Sequence, residues 1–90
     1  MGIFIGNREF VFSSPAVHGL DCNELPSGIS YVANATNAPN DSNDYFLVQT
    51  ILSSGGRDAF QLACSVTENE LYMRSKVNNT YKAWRKLSWT

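Results

Sequence analysis

The residues best suited to chemistry lie toward the C-terminal end. Tyr72, Tyr81, Trp84 and Trp89 are interleaved with Arg74, Lys76, Lys82, Arg85 and Lys86, and five of the chain's seven basic residues fall between Arg74 and Lys86. Aromatic rings stack on sugar faces, while charged groups beside them hydrogen-bond hydroxyls and acids. The same mixture can describe a single-strand nucleic-acid face, in which rings stack bases and basic groups follow phosphates. That reading competes poorly, because the formal net charge is -1 and no nucleic-acid motif is present. Alternation along a strand also divides the cluster between two faces. The plain alternative is that these aromatics pack the last hairpin or a subunit contact.

A second group of polar residues, Asn34, Asn37, Asn40, Asp41, Asn43 and Asp44, places many oxygen ligands in one segment. The ordered spacing of a calcium loop is missing, so the segment reads as a surface loop held by side-chain to backbone turns. No metal or cofactor is expected. Cys22 and Cys64 lack CxxC spacing and have only His18 as a nitrogen ligand, which leaves a zinc site without its ligand set. Two free thiols are expected, with Cys64 a small core residue. No catalytic residue can be named. His18 is the single histidine, and Asp41, Asp44, Asp58, Glu68 and Glu70 fall mostly in turns where they stay solvated, so the chain reads as a non-enzyme.

These groups must be positioned by a small scaffold. Ninety residues allow one core, and a chain this short is marginal alone, so assembly into an oligomer is a natural route to stability. With 43% hydrophobic and 17% charged residues, the composition is that of a folded domain. No apolar run approaches the ~20 residues that span a bilayer as a helix, so no membrane insertion is expected. The start of the chain lacks a secretory pattern, which predicts synthesis and retention in the cytoplasm. The three matches to the glycosylation pattern, at Asn34, Asn40 and Asn78, then read as turn residues.

The pattern of residues predicts an all-β fold: a small antiparallel sheet or meander with long polar loops and at most one short helical turn. Ile3 to Phe12 reads as two extended pieces about a turn, and Leu20 to Leu25 as a helical turn entered at Asp21. Ile29, Tyr31 and Val32 mark a strand after the Pro26-Ser27-Gly28 turn. Tyr45 to Leu52 is apolar on both faces, as for a central strand covered on both sides. Phe60, Leu62, Cys64 and Val66 alternate with Ala59, Gln61, Ala63 and Ser65. Leu71, Met73, Ser75 and Val77 likewise alternate with Tyr72, Arg74 and Lys76, which predicts one apolar and one polar, partly aromatic face. Asn78-Asn79 makes the last turn.

Several local patterns then line up in order: Leu25-Pro26-Ser27-Gly28-Ile29-Ser30-Tyr31-Val32, Asn37-Ala38-Pro39, Tyr45-Phe46-Leu47-Val48-Gln49, Phe60-Gln61-Leu62, Leu71-Tyr72-Met73-Arg74 and Trp84-Arg85-Lys86-Leu87. From about Leu20 to Leu87 the chain resembles the pyocin-knob domain of bacteriophage tail fibres and phage-tail-like bacteriocins. Two departures are that Tyr81 stands where a Trp is usual in the closing motif and that Ser30 interrupts the Ile-Tyr pair. The resemblance implies a knob on a trimeric fibre of a virion, assembled in the host cytoplasm. It implies two segments: residues 1–17 as an attachment arm and 18–90 as the knob.

On this reading the protein is a non-enzymatic virion-surface module that holds a bacterial surface saccharide, with Tyr72, Arg74, Tyr81, Trp84, Lys86, Asn37 and Asp41 as the expected ligand contacts. Ile3, Phe4, Ile5, Phe10 and Phe12 are the expected attachment residues toward other virion structural proteins. The expected partners are two further copies of the chain, those virion proteins and the saccharide, with no nucleic acid. The alternative is a structural head-fibre or decoration protein that docks on another virion subunit and has no essential receptor.

Overall fold

A computed structural model describes residues 2–5, 8–12, 17–40 and 44–87, with backbone alone for 2–5, 8–12 and 17. Strand-forming sequence recurs every few residues, and Asn, Gly and Ser break it where the backbone must reverse. The result is all-β. Among the described residues nine strands form one sheet: β1 (Gly2–Ile5), β2 (Arg8–Phe12), β3 (Val17–His18), β4 (Gly28–Ala33), β5 (Tyr45–Leu52), β6 (Ala59–Ser65), β7 (Glu70–Val77), β8 (Thr80–Tyr81) and β9 (Arg85–Leu87). The strand order is β1-β2-β4-β5-β6-β7-β8, with β3 beside β4 and β9 beside β7.

From β4 to β8 every neighbouring pair is antiparallel, so the predicted meander is present, and β5 is an interior strand between β4 and β6. Asn78 and Asn79 join β7 to β8 with φ of 50° and 69°. A two-residue hairpin loop with both φ values positive matches the twist of the flanking strands, and Asn tolerates that backbone better than most residues. The backbone N–H of Asn79 donates to the Arg57 carbonyl and that of Asn78 to the Asp58 carboxylate, which fastens this turn to its neighbour. The predicted helical turn is a short 3-10 segment, Cys22–Glu24, capped by the Asp21 carboxylate accepting from the Asn23 N–H.

The expected division at residue 17 falls inside the sheet. β1 and β2 form an antiparallel hairpin, and β2 pairs in parallel with β4 through Val11 with Gly28 and Phe12 with Ile29. β3 pairs with the same strand further along, Val17 with Val32 and His18 with Ala33. β1 and β2 therefore extend the sheet at its β4 side.

The two faces of the sheet differ from expectation in one respect. Tyr45 to Leu52 was expected to be covered on both sides, yet only one side is covered: Phe46, Val48 and Thr50 are buried, while Leu47 and Ile51 are 45% and 49% exposed. On β6 the buried residues are Gln61, Ala63 and Ser65, and on β7 they are Tyr72 and Arg74, the side with more polar atoms. The reason is what packs there. The 3-10 turn and the chain from Asn34 to Asn40 cross this face, bringing Cys22, Leu25, Ala35 and Ala38 onto Val32, Phe46, Val48, Ala63 and Tyr72. The rings of Phe46 and Tyr72 meet edge to face at 6.2 Å.

Polar groups on the covered face are tolerated because they bond one another. Gln61 is wholly buried; its Nε2 donates to the Cys22 carbonyl at 2.8 Å and to Thr50 Oγ1 at 3.1 Å. Its Oε1 accepts from Arg74 Nε at 2.7 Å. The opposite face carries Ile29, Tyr31, Leu47, Ile51, Phe60, Leu62, Cys64, Leu71 and Met73, which are half-buried or exposed.

Cys64 is among these and so is not the core cysteine that was expected; Cys22, fully buried under the other face, takes that place. Both thiols are free, and the sheet stands between them. Burial pushes the Cys22 thiol up to about 11, as expected for a group that must stay neutral in an apolar setting.

Candidate functional site

After β8 the chain leaves β7 for three residues before β9 rejoins it, with the Lys82 N–H still donating to the Ser75 carbonyl at 2.8 Å. That short excursion places Tyr81 and Trp84 on either side of Arg74. The guanidinium carbon lies 3.8 Å from the Tyr81 ring centre and 4.4 Å from that of Trp84. A planar cation between two electron-rich faces is favourable, the more so when water is excluded. Lys76 also approaches the Tyr81 ring, at 5.1 Å.

Opposite this sandwich runs the chain from Asn34 to Asn40. Main-chain bonds tie it down: the Cys22 N–H donates to the Thr36 carbonyl and the Thr36 N–H to the Leu20 carbonyl, both at 2.9 Å. Asn34 and Asn37 adopt left-handed backbone, φ 52° and 55°. The Trp84 indole N–H donates to the Asn37 carbonyl at 2.8 Å, which joins the two walls. Asn37 Nδ2 in turn donates to Asp21 Oδ1 at 2.8 Å. The bond from Asn37 and the one from the Asn23 N–H hold the Asp21 carboxyl below its ordinary value.

Between the walls lies an open groove of about 830 Å³. Asparagine is its commonest lining residue, with Asn23, Asn34, Asn37, Asn40 and Asn79 beside Arg74, Lys82, Tyr81 and Trp84. Three buried polar atoms in this lining have no hydrogen-bond partner: Asn23 Oδ1, Arg74 Nη2 and the Tyr81 hydroxyl. Burial lowers the Arg74 pKa and raises that of Tyr81; the guanidinium keeps its charge because arginine is not deprotonated in proteins.

The structure thus brings together four of the residues singled out in the sequence, Asn37, Arg74, Tyr81 and Trp84. Tyr72 lies in the core: it is 8% exposed and packs on Phe46, and its hydroxyl accepts from Asn40 Nδ2 of the groove lining at 3.5 Å. Lys86 lies outside the lining and pairs with Glu70 at 3.7 Å. Asp41 and Trp89 lie outside the described residues. For Ile3, Phe4, Ile5, Phe10 and Phe12 the structure gives the strands β1 and β2 alone. Asn23 and Thr80 were missed; one lies in the 3-10 segment and the other opens β8, and only the fold turns them toward the groove.

Among the described residues no cluster of His, Cys, Asp or Glu could hold a metal ion, and no helix is long and apolar enough to cross a membrane. Comparison with protein-family models, curated proteins and solved structures finds no match to this chain.

Proposed function

We propose that this chain is a non-enzymatic module of a bacteriophage virion surface, a fibre knob of the pyocin-knob kind that holds a bacterial surface saccharide. The observation that carries the binding reading is the groove: amides that can donate and accept sit beside a Tyr and a Trp next to a buried guanidinium. Sugars are recognised by that combination of fixed polar groups and ring faces. Three knobs engaging one surface would multiply a weak single site by avidity, so millimolar affinity per groove is sufficient. The test is retention of the fluorescently labelled protein on candidate host cells and on immobilised lipopolysaccharide and capsule. Loss of retention in Lys82→Glu and in Asn34→Gly, which removes the amide while keeping the left-handed backbone, supports the groove; unchanged retention in both removes it from the reading.

Assembly as a homotrimer in the virion is supported by the uncovered apolar face. With strands about 4.8 Å apart and about 3.3 Å per residue, the face from β4 to β9 covers on the order of 500 Å². That lies at the upper end of what monomers expose and approaches what a subunit contributes to a standard interface. Its strands β4 to β7 present no charged side chain there and Arg85 opposite Met73 adds one at the β9 margin, which suits burial of the uncharged part against other copies of the chain. A second reading, a decoration protein without an essential receptor, is favoured by a different observation. β1 ends the strand order, so its outer edge has no strand partner among the described residues and is suited to pairing with another virion subunit. A folded monomer by light scattering, together with virion incorporation that fails when residues 1–17 are removed, selects this second reading.

A further inference from the structure

Granting the saccharide-binding reading, we infer that the groove takes an acidic saccharide, with an oxyanion of the ligand held at Arg74 and Tyr81 and its hydroxyls held by the surrounding amides. The first ground is charge. Among the described residues the groove lining contains two cations, Arg74 and Lys82, and no Asp or Glu, although the chain as a whole has eight acids to seven bases. Arg74 is 6% exposed and makes no ion pair among the described residues. Asp21 acts on it electrostatically, but that carboxylate is already committed to Asn37 and Asn23. A buried guanidinium without a partner carboxylate is an expensive arrangement unless something supplies the counter-charge.

The second ground is the set of unpartnered atoms. Arg74 Nη2 can only donate, the Tyr81 hydroxyl can donate or accept, and Asn23 Oδ1 can only accept. A carboxylate or phosphate oxygen accepts from the first two, and a neighbouring sugar hydroxyl donates to the third. A water molecule can satisfy the same hydrogen bonds, but it leaves the charge of Arg74 unbalanced. Neutral sugars share this defect. Lys82, exposed at the rim, adds a second positive group where a charged polymer would run past.

The test uses the whole chain and four probes in parallel titrations at 50 mM salt: a polygalacturonate oligomer, its carboxyl-reduced counterpart, a glycerol-phosphate polymer and a neutral glucan. Binding to one or both charged probes, at least tenfold tighter than to either neutral one and weakened at least threefold at 500 mM salt, supports the inference; the two charged arms tell carboxylate from phosphate. Lys82→Glu should weaken that binding by about threefold or more without changing the melting temperature. Arg74→Lys, which keeps the charge but not the planar donor set, should weaken it further, with circular dichroism confirming that the fold persists. Equal binding of the acidic and carboxyl-reduced oligomers overturns the anion requirement and leaves the saccharide reading standing. Binding to none of the four, in a protein that also fails to stay on cells, overturns both.

Discussion

Replacing Gln61 by Leu tests whether the covered face is held by its polar network. Leu fills nearly the same space, so packing changes little and the effect is one of hydrogen bonding. Three bonds disappear: those to the Cys22 carbonyl, to Thr50 and from Arg74. The Cys22 carbonyl and Arg74 Nε are then left buried without these partners, and each stranded group costs about 1–3 kcal/mol, more for the charged one. The expected loss is therefore about 3–5 kcal/mol, a large part of what a domain of this size has to lose. Urea unfolding followed by tryptophan fluorescence, at one fixed protein concentration because an oligomer's stability depends on it, gives the difference directly. The paired variant Gln61→Leu with Arg74→Met removes both ends of the charged bond and should recover about 1 kcal/mol or more relative to the sum of the single changes. A Gln61→Leu protein within 1 kcal/mol of the parent would refute the argument, since the polar side would then be buried for reasons unrelated to these bonds.

Other changes probe other parts of the fold. The buried Cys22 thiol titrates near 11 in the fold against an ordinary 9.0, so the stability from keeping it neutral is fully present below about pH 9 and is lost as pH rises toward 11. Two units correspond to about 2.7 kcal/mol at most, and Cys22→Ala should flatten the stability profile over that window; parallel profiles would contradict it. Tyr81, also raised by burial, acts in the same direction and persists in that variant. Leu47→Lys on the open face should leave the fold intact, because that position is already 45% exposed, while converting the proposed trimer into a monomer by light scattering. Asn69, with φ 58° in the turn between β6 and β7, should accept Gly almost neutrally, whereas Val should cost about 1–2 kcal/mol and lower the melting temperature by several degrees.

Much of the fold was legible because it rests on local chemistry. The Tyr45 to Leu52 strand, the period-two runs on β6 and β7, the Asn78-Asn79 turn and the cap at Asp21 each carry a signal within a few residues. What the pattern could not give was which face the chain would cover. Alternation separates Phe60, Leu62 and Cys64 from Gln61, Ala63 and Ser65, but the choice depends on a distant segment: Cys22 and Ala38 lie on the second set. Hydrophobicity alone favours the first. The same limit applies to the groove. Arg74, Tyr81 and Trp84 were identifiable as an aromatic and basic group, but their sandwich follows from a three-residue departure from β7 that no motif marks. Tyr72 was misjudged because its polar tip disguised a core ring, while Asn23 became relevant only through the packing of the 3-10 turn.

The wall from Asn34 to Asn40 is fastened mainly by its backbone, through bonds at Thr36 to Leu20 and Cys22 and from the Trp84 indole to the Asn37 carbonyl. Main-chain atoms are the same in every residue but proline, so the course of this segment is largely insensitive to which side chains it bears. Asn34 and Asn37 are exceptions, since their left-handed backbone restricts them chiefly to Asn, Asp or Gly. The exposed Thr36 side chain can change without altering the path of the wall. The lining of the groove can therefore be varied by single substitutions, each leaving the sheet and its open face untouched. A small library at Thr36 and Lys82 is accordingly a practical way to vary what the proposed binding groove would select.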